Sequence, residues 1–162
     1  MTLDTAELKE FVERLAADRE AWGDLVRFNT DERVYELIWD APEVNAWLIC
    51  WSEDQDTGFH DHDESAAAIT VLHGAVREDR LRLAGEPVTR TIEAGSTFTL
   101  PPTAIHRVLH AGDGQAVSIH AYSPPLTRMG AYGIGPDGEL ERQSQSFEEE
   151  LRAEHHLVGA RA

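Results

Sequence analysis

The chain has a single cysteine, few basic residues and no long apolar run, and each shortage removes a class of function. Cys50 alone cannot close an internal disulfide, which argues for a reducing compartment and against the disulfide-stapled folds of small secreted domains. Its setting in AWLICW predicts a thiol buried in a strand, where apolar neighbours raise its pKa and keep it inert. Lysine and arginine number 14 against 30 aspartates and glutamates, a net charge of -16 with no basic stripe to interrupt it. Such a surface repels nucleic acid and anionic membranes, so neither is an expected partner. No apolar stretch approaches the roughly 20 residues needed to span a bilayer. The opening MTLDTAELKEF carries neither the basic nor the apolar region of a leader peptide, and a cytoplasmic protein is expected. A length of 162 residues suits one domain with a substantial core, spanning 1–162.

What is present reads as a helical start followed by a β-rich body. Asp4 caps a first helix with Glu7 as its capping-box partner, and Leu8, Phe11, Val12 and Leu15 recur at helical spacing. A second short helix is predicted around Arg19 to Phe28, with Trp22, Leu25 and Val26 on one side and Gly23 interrupting it. Together they give a helical segment over about 4–28. From Arg33 the texture changes to short runs, VYELIW, VNAWLICW, AAITVLHG, AVREDRLRL, PVTRTI, STFTLP, IHRVLHA and QAVSIHAY, separated by Pro, Gly and Asp turns. Many short strands at near-regular spacing argue a sandwich or barrel, placed here at about 33–125. A hairpin turning at Gly135-Pro136-Asp137-Gly138 and a tail make up 126–162. In the tail Ser146 caps a short helix anchored by Phe147 and Leu151, and His155 and His156 read as surface residues.

Histidine carries the candidate chemistry. In GFHDHDES a strand would put His60 and His62 on one face, because alternate side chains share a face, and the simplest object they converge on is a metal ion. Imidazole suits zinc, copper, iron and nickel. Asp61 and Asp63 would face away and orient a loop or a ligand histidine from outside. A third ligand has to come from a neighbouring strand, and His106, which follows the Gly95 turn and the Pro101-Pro102 corner, has that context. Ser118, His120 and Tyr122 form a second row on one strand face, and a buried polar row needs internal partners. For His73 and His110 a ligand role and a plain strand position both stay open.

The spacing of these residues resembles the two motifs of the cupin family. In the first, an HxH pair is followed by a glutamate and then a glycine; Gly74 holds the glycine place and Ala67 stands where the glutamate would. In the second, Gly95, Pro101 and His106 match, while His110 replaces a usual asparagine and Thr103 a usual glycine. Losing the glutamate leaves three neutral imidazoles, which resembles the three-histidine iron centre of the thiol dioxygenases, the cupin branch that includes cysteine dioxygenase and 3-mercaptopropionate dioxygenase. Cys50-Trp51, His60 to His62 with Ser65, and above all SIHAYSPP at Ser118 to Pro125 are similar to that branch's own text, over roughly 37–125. The resemblance implies a mainly β fold, a small cupin β-barrel of jelly-roll type with N-terminal helices packed outside. It implies Fe(2+) on His60, His62 and His106, a hydrogen-bonded relay through Ser118 and His120 to Tyr122, and a cis peptide at Ser123-Pro124.

Departures from the family bear on the substrate. Animal cysteine dioxygenases crosslink the tyrosine to a cysteine whose place is taken here by Ala67, so no crosslink forms. The family's carboxylate-binding arginine falls at Tyr35, and Arg33, on the same strand face, lies about 7 Å away along the strand. Plain cysteine is therefore not the expected substrate. Tyr35, Arg33 and Trp51 are the candidate substrate-binding residues, with Trp39 and Trp47 nearby and Arg107 and Arg128 as other carboxylate partners. Aromatic faces suit a larger or cationic thiol, and the candidates are 3-mercaptopropionate, cysteamine and a betaine thiol such as ergothioneine. The expected reaction adds both atoms of O2 to the sulfur of a small thiol and gives a sulfinate. Three other readings stay open: cysteine dioxygenase proper, a different metal-dependent cupin enzyme, and a non-catalytic cupin that binds a small ligand.

Overall fold

A computed structural model describes residues 1–146. The predicted helix over Phe147 and Leu151, and His155 and His156, lie outside the described residues. The first helix, α1, covers Thr5–Ala17, and its start follows from the capping box: Asp4 accepts from the backbone of Ala6 and Glu7, while the Glu7 side chain accepts from the backbone of Asp4. The second predicted helix is instead two short 3₁₀ turns, Arg19–Ala21 and Gly23–Leu25. Gly23 interrupts them, and so few residues cannot nucleate an α-helix of their own.

Eleven strands follow among the described residues: β1 Val34–Asp40, β2 Asn45–Trp51, β3 His60–Asp61, β4 Ala66–His73, β5 Ala75–Arg80 and β6 Val88–Glu93. The others are β7 Thr97–Leu100, β8 His106–Ala111, β9 Ala116–Ser123, β10 Arg128–Ile134 and β11 Leu140–Ser146. They form two antiparallel sheets, one ordered β1-β2-β9-β4-β7 and the other β11-β10-β3-β8-β5-β6. The two sheets are not joined into one continuous closed barrel, as the word barrel would suggest. No helix among the described residues is long and apolar enough to cross a membrane.

The near-continuous apolar runs of the central strands have a direct cause, which is that both faces of the first sheet are covered. Ala46, Leu48 and Cys50 of β2, Ala66 and Ala68 of β4, and Val117, Ile119 and Ala121 of β9 pack in one cluster with Leu8, Val12 and Leu15 of α1. The alternate residues, Ile49 and Trp51, Ala67, Ile69 and Val71, and Tyr122, belong to the cluster between the sheets. Cys50 thus lies under the helix side of the sheet, and burial pushes its thiol pKa up. In β1 the register shifts between Leu37 and Trp39, and Trp39 is 46% exposed with its ring 5.6 Å from Phe11. It therefore packs against the helix side, apart from Tyr35 and Trp47, which join the inner cluster with their rings 6.0 Å apart. The turn between β4 and β5 requires glycine: Gly74 has φ +67, and a Cβ there would lie 2.4 Å from the Gln115 carbonyl oxygen.

Candidate metal centre

The fold brings the three candidate histidines together across the second sheet. His60 in β3 and His106 in β8 are direct Cα partners, and His62 follows β3 on the same face as His60. Strand β3 is only two residues long, yet both its neighbours hold it, since His60 also pairs with Ala131 and Asp61 with Gly130 of β10. Asp61 points away from the histidines, as alternation requires. Its carboxylate takes a two-pronged bond from Arg142 at 2.8 and 3.0 Å, the Tyr132 hydroxyl at 2.6 Å, and the backbone of Gly130 and Asp63. Burial works to raise the Asp61 pKa, but these donors, Arg142 foremost, outweigh it and hold the group below the usual carboxylate range. The short strand is thereby clamped to the β10–β11 hairpin.

The Nε2 atom of His62 lies 3.2 Å from that of His60 and 3.3 Å from that of His106. All three rings are buried. His60 Nδ1 is 3.0 Å from the Gly58 carbonyl oxygen and His106 Nδ1 is 3.0 Å from Glu78 Oε1. Both Nδ1 atoms face acceptors, so in the neutral rings they carry the protons and both Nε2 atoms are bare lone pairs. Two bare nitrogens facing His62 Nε2 need either its proton or a cation between them. Donors about 2.0–2.1 Å from one ion sit about 3.0–3.4 Å apart, so the observed spacing fits a bound transition metal. The donor set and its protonation fit, and His60, His62 and His106 form the three-residue group among the described residues that could hold a metal ion.

Electrostatics keep these rings neutral. Burial lowers His60 to about 4 and His120 to about 3, and sets His62 and His106 well below the ordinary histidine value, with neighbouring histidines adding to the last two. In the unfolded chain the same imidazoles protonate near pH 6.5. Between that pH and about 4 the unfolded state binds more protons than the folded one, so stability of the metal-free protein is lost as pH falls through this window. One such histidine is worth about 2 kcal/mol between pH 7 and pH 5. The expected result is a clear fall in the urea midpoint of the metal-free protein at pH 5; an unchanged midpoint would show that the rings are accessible to protons.

The second row is also assembled. Trp51 Nε1 lies 2.9 Å from Ser118 Oγ, Ser118 Oγ 2.9 Å from His120 Nε2, and His120 Nδ1 3.4 Å from the Tyr122 hydroxyl. The indole N–H can only donate, and the serine proton is then left for His120 Nε2. A neutral His120 accordingly carries its proton on Nδ1, facing the tyrosine oxygen. With the serine proton on His120, the chain of bonds runs from Trp51 to Tyr122, and the tyrosine hydroxyl accepts from His120. Burial raises the Tyr122 pKa, so the hydroxyl keeps that proton. Its ring lies 5.0 Å from that of His62, which sets it beside the three-histidine group.

Of the substrate-binding candidates, Arg33 is buried with its guanidinium 5.6 Å from the Trp51 ring centroid, and it donates to the Asp56 carbonyl. Its charge adds to the depression of His60 and His120, behind burial. Trp51 is fully buried, and its polar atom is committed to Ser118. Arg107 is bonded to Asp79 and stacked on Phe59, and Arg128 bonds Ser144 on the hairpin. His73 is exposed at the end of β4, and the structure does not group His73 or His110 with the three histidines. Sequence reasoning missed Glu78 and the Arg142 and Tyr132 clamp. Glu78 sits in VREDR, which reads as a solvated charged strand, and its burial comes from the pairing of β5 between β6 and β8.

Two facing antiparallel sheets of this order with a buried histidine triad between them define a cupin. Solved structures agree on the fold. A double-stranded β-helix protein from Klebsiella pneumoniae superposes with a TM-score of 0.56 at 16% identity, covering 63% of this chain and 80% of that one. A Thermus thermophilus protein gives 0.54 at 19% identity, covering 64% and 93%. The sequence profile of Cysteine dioxygenase type I matches residues 1–134. Cysteine dioxygenase type 1 of Danio rerio is 24% identical over 136 residues, 77% of this chain and 68% of that protein. Its Homo sapiens counterpart is 23% identical over 142 residues, 80% of this chain and 70% of that protein. The chain belongs to the cysteine dioxygenase type I family, and it is an enzyme of the thiol dioxygenase class.

Proposed function

We propose that the protein is a non-haem Fe(II) thiol dioxygenase with His60, His62 and His106 as the iron ligands, acting on a small thiol that carries a carboxylate. The observation that carries the reading is the convergence of three buried Nε2 atoms beside a tyrosine whose hydroxyl ends the Trp51–Ser118–His120 chain. When bound, iron(II) supplies the redox chemistry by which a thiolate and O2 become a sulfinate, a reaction balanced in atoms and charge without an external reductant.

The chain's own residues do the rest. Three neutral imidazoles leave a metal's positive charge uncompensated, which favours a substrate sulfur bound as thiolate. The relay through Ser118 and His120 holds the Tyr122 hydroxyl as a donor toward oxygens that develop on the sulfur. Ile69, Leu100, Val108 and Met129 line the inner cluster and keep the site dry, which strengthens each of those hydrogen bonds. Arg33, on the inner face two residues from Tyr35, supplies the positive charge that recognises a substrate carboxylate, with the faces of Tyr35 and Trp51 beside it.

This assignment orders the substrates. An interior guanidinium favours a thiol that carries a carboxylate, such as 3-mercaptopropionate or the betaine thiol ergothioneine, over the cationic cysteamine. The test compares cysteine, 3-mercaptopropionate, cysteamine and ergothioneine in oxygen uptake by the iron-loaded protein and by an Arg33→Gln variant. The expected result is that the substitution raises KM for the carboxylate thiol about 10- to 100-fold and leaves the cysteamine rate little changed. An equal effect on thiols with and without a carboxylate would remove Arg33 from substrate recognition.

A further inference from the structure

The side of His106 that faces away from the other histidines meets a buried carboxylate. Glu78 is 1% exposed, and removing a carboxylate from water costs several kcal/mol unless it is paired on all sides. Here it is. Oε1 lies 3.0 Å from His106 Nδ1 and 3.2 Å from Arg80 Nη2, and Oε2 lies 2.6 Å from Arg90 Nε. The two arginines are themselves tied to the opposite sheet, Arg90 over the Phe98 ring at 4.6 Å and Arg80 to the Thr99 carbonyl oxygen at 3.3 Å. Strand register produces the cluster, since Glu78 pairs with Arg90 and with Val108, and Arg80 pairs with His106.

A purely structural role, with Glu78 neutralising the arginines, does not account for the arrangement. The arginine side chains are 32% and 43% exposed and have water available, whereas the carboxylate and the imidazole have none. The three histidines also differ in what stands behind them. His60 has a backbone carbonyl, and His62 Nδ1 has no partner among the described residues. Among the three, His106 is the ring backed by a carboxylate.

We propose that Glu78 is the positioning residue for His106: it fixes the proton on Nδ1, aims the bare Nε2 at the metal, and makes this ring the strongest donor of the three. Arg80 and Arg90 act as counter-charges that keep the carboxylate an acceptor. The proposal rests on the metal-centre reading above and deepens it.

The experiment measures cobalt(II) affinity by chelator competition, together with the cobalt absorption bands, for the wild-type protein and three variants. Glu78→Ala is expected to weaken binding about 10- to 100-fold with far-UV circular dichroism unchanged. Glu78→Gln keeps an acceptor for Nδ1 without the charge, so it recovers affinity to within about tenfold of wild type but shifts the cobalt bands. Asp79→Asn is the control. Asp79 is a neighbouring buried carboxylate paired with Arg77, Arg107 and Thr89, away from the histidines, and its replacement leaves affinity and spectrum unchanged. Wild-type affinity and bands in both Glu78 variants, or an equal loss in Asp79→Asn, overturn the proposal. Should Glu78→Ala fail to fold, the near-isosteric Glu78→Gln decides by its spectrum. A wild-type protein that binds no cobalt or iron would instead defeat the metal-centre reading itself.

Discussion

His62→Ala abolishes metal retention and thiol-dependent oxygen uptake while leaving the metal-free protein at least as stable as wild type. Two of three ligands cannot hold an exchangeable ion against buffer and chelator, so a loss of at least about 100-fold in affinity is expected. The stability half of the prediction comes from the environment of the ring. In the metal-free protein His62 is fully buried, crowded by two other Nε2 atoms, and has an Nδ1 without a partner among the described residues. An imidazole with an unsatisfied Nδ1 costs folding energy, so removing it relieves about as much as the cavity takes away. His106→Ala differs, because it strips a partner from Glu78 and destabilises the metal-free protein. Atomic absorption after iron loading, with chemical denaturation of the metal-free proteins, separates the two. A destabilised His62→Ala protein that keeps stoichiometric metal would contradict the assignment.

Tyr122→Phe is expected to retain iron and fold but to lose about 100- to 1,000-fold in kcat, with KM for the thiol nearly unchanged. The substitution removes the one hydroxyl at which the Trp51–Ser118–His120 chain ends. The ring remains, and with it the packing against His62. A donor acting on charge that develops during reaction affects the rate constant, whereas a substrate-binding group affects KM. Steady-state oxygen-electrode kinetics on iron-quantified protein make the distinction, and an unchanged kcat removes Tyr122 from the chemistry.

The convergence of the three histidines was legible because histidine periodicity and turn chemistry are local. His60 and His62 share a face by alternation, and the Gly95 turn delivers a strand that ends in time for His106 to meet them. The Ser118, His120 and Tyr122 row was legible for the same reason. Strand β3 was harder, since two residues are too few for any periodic pattern and its pairing comes from β8 and β10. Trp39, named beside the candidate substrate residues, lies apart from them because the register shift after Leu37 turns it toward the helix side. Glu78 was opaque in its role, and Asp61 was legible as facing away from the histidines but not in its partners. Each is a carboxylate among charged or polar neighbours, and only the long-range pairing of β5 with β8 and of β3 with the β10–β11 hairpin shows what it holds.

On the reading proposed above, His60, His62 and His106 hold iron, and both atoms of O2 end on the thiol sulfur. The most direct test quantifies sulfinate by mass spectrometry against oxygen consumed, using ¹⁸O2 and protein of measured iron content, with the carboxylate thiols first. The expected result is one sulfinate per O2, both oxygen labels in the product, and activity proportional to iron. Iron-loaded protein that consumes no oxygen with any thiol of the panel, or that yields disulfide instead of doubly labelled sulfinate, would contradict it.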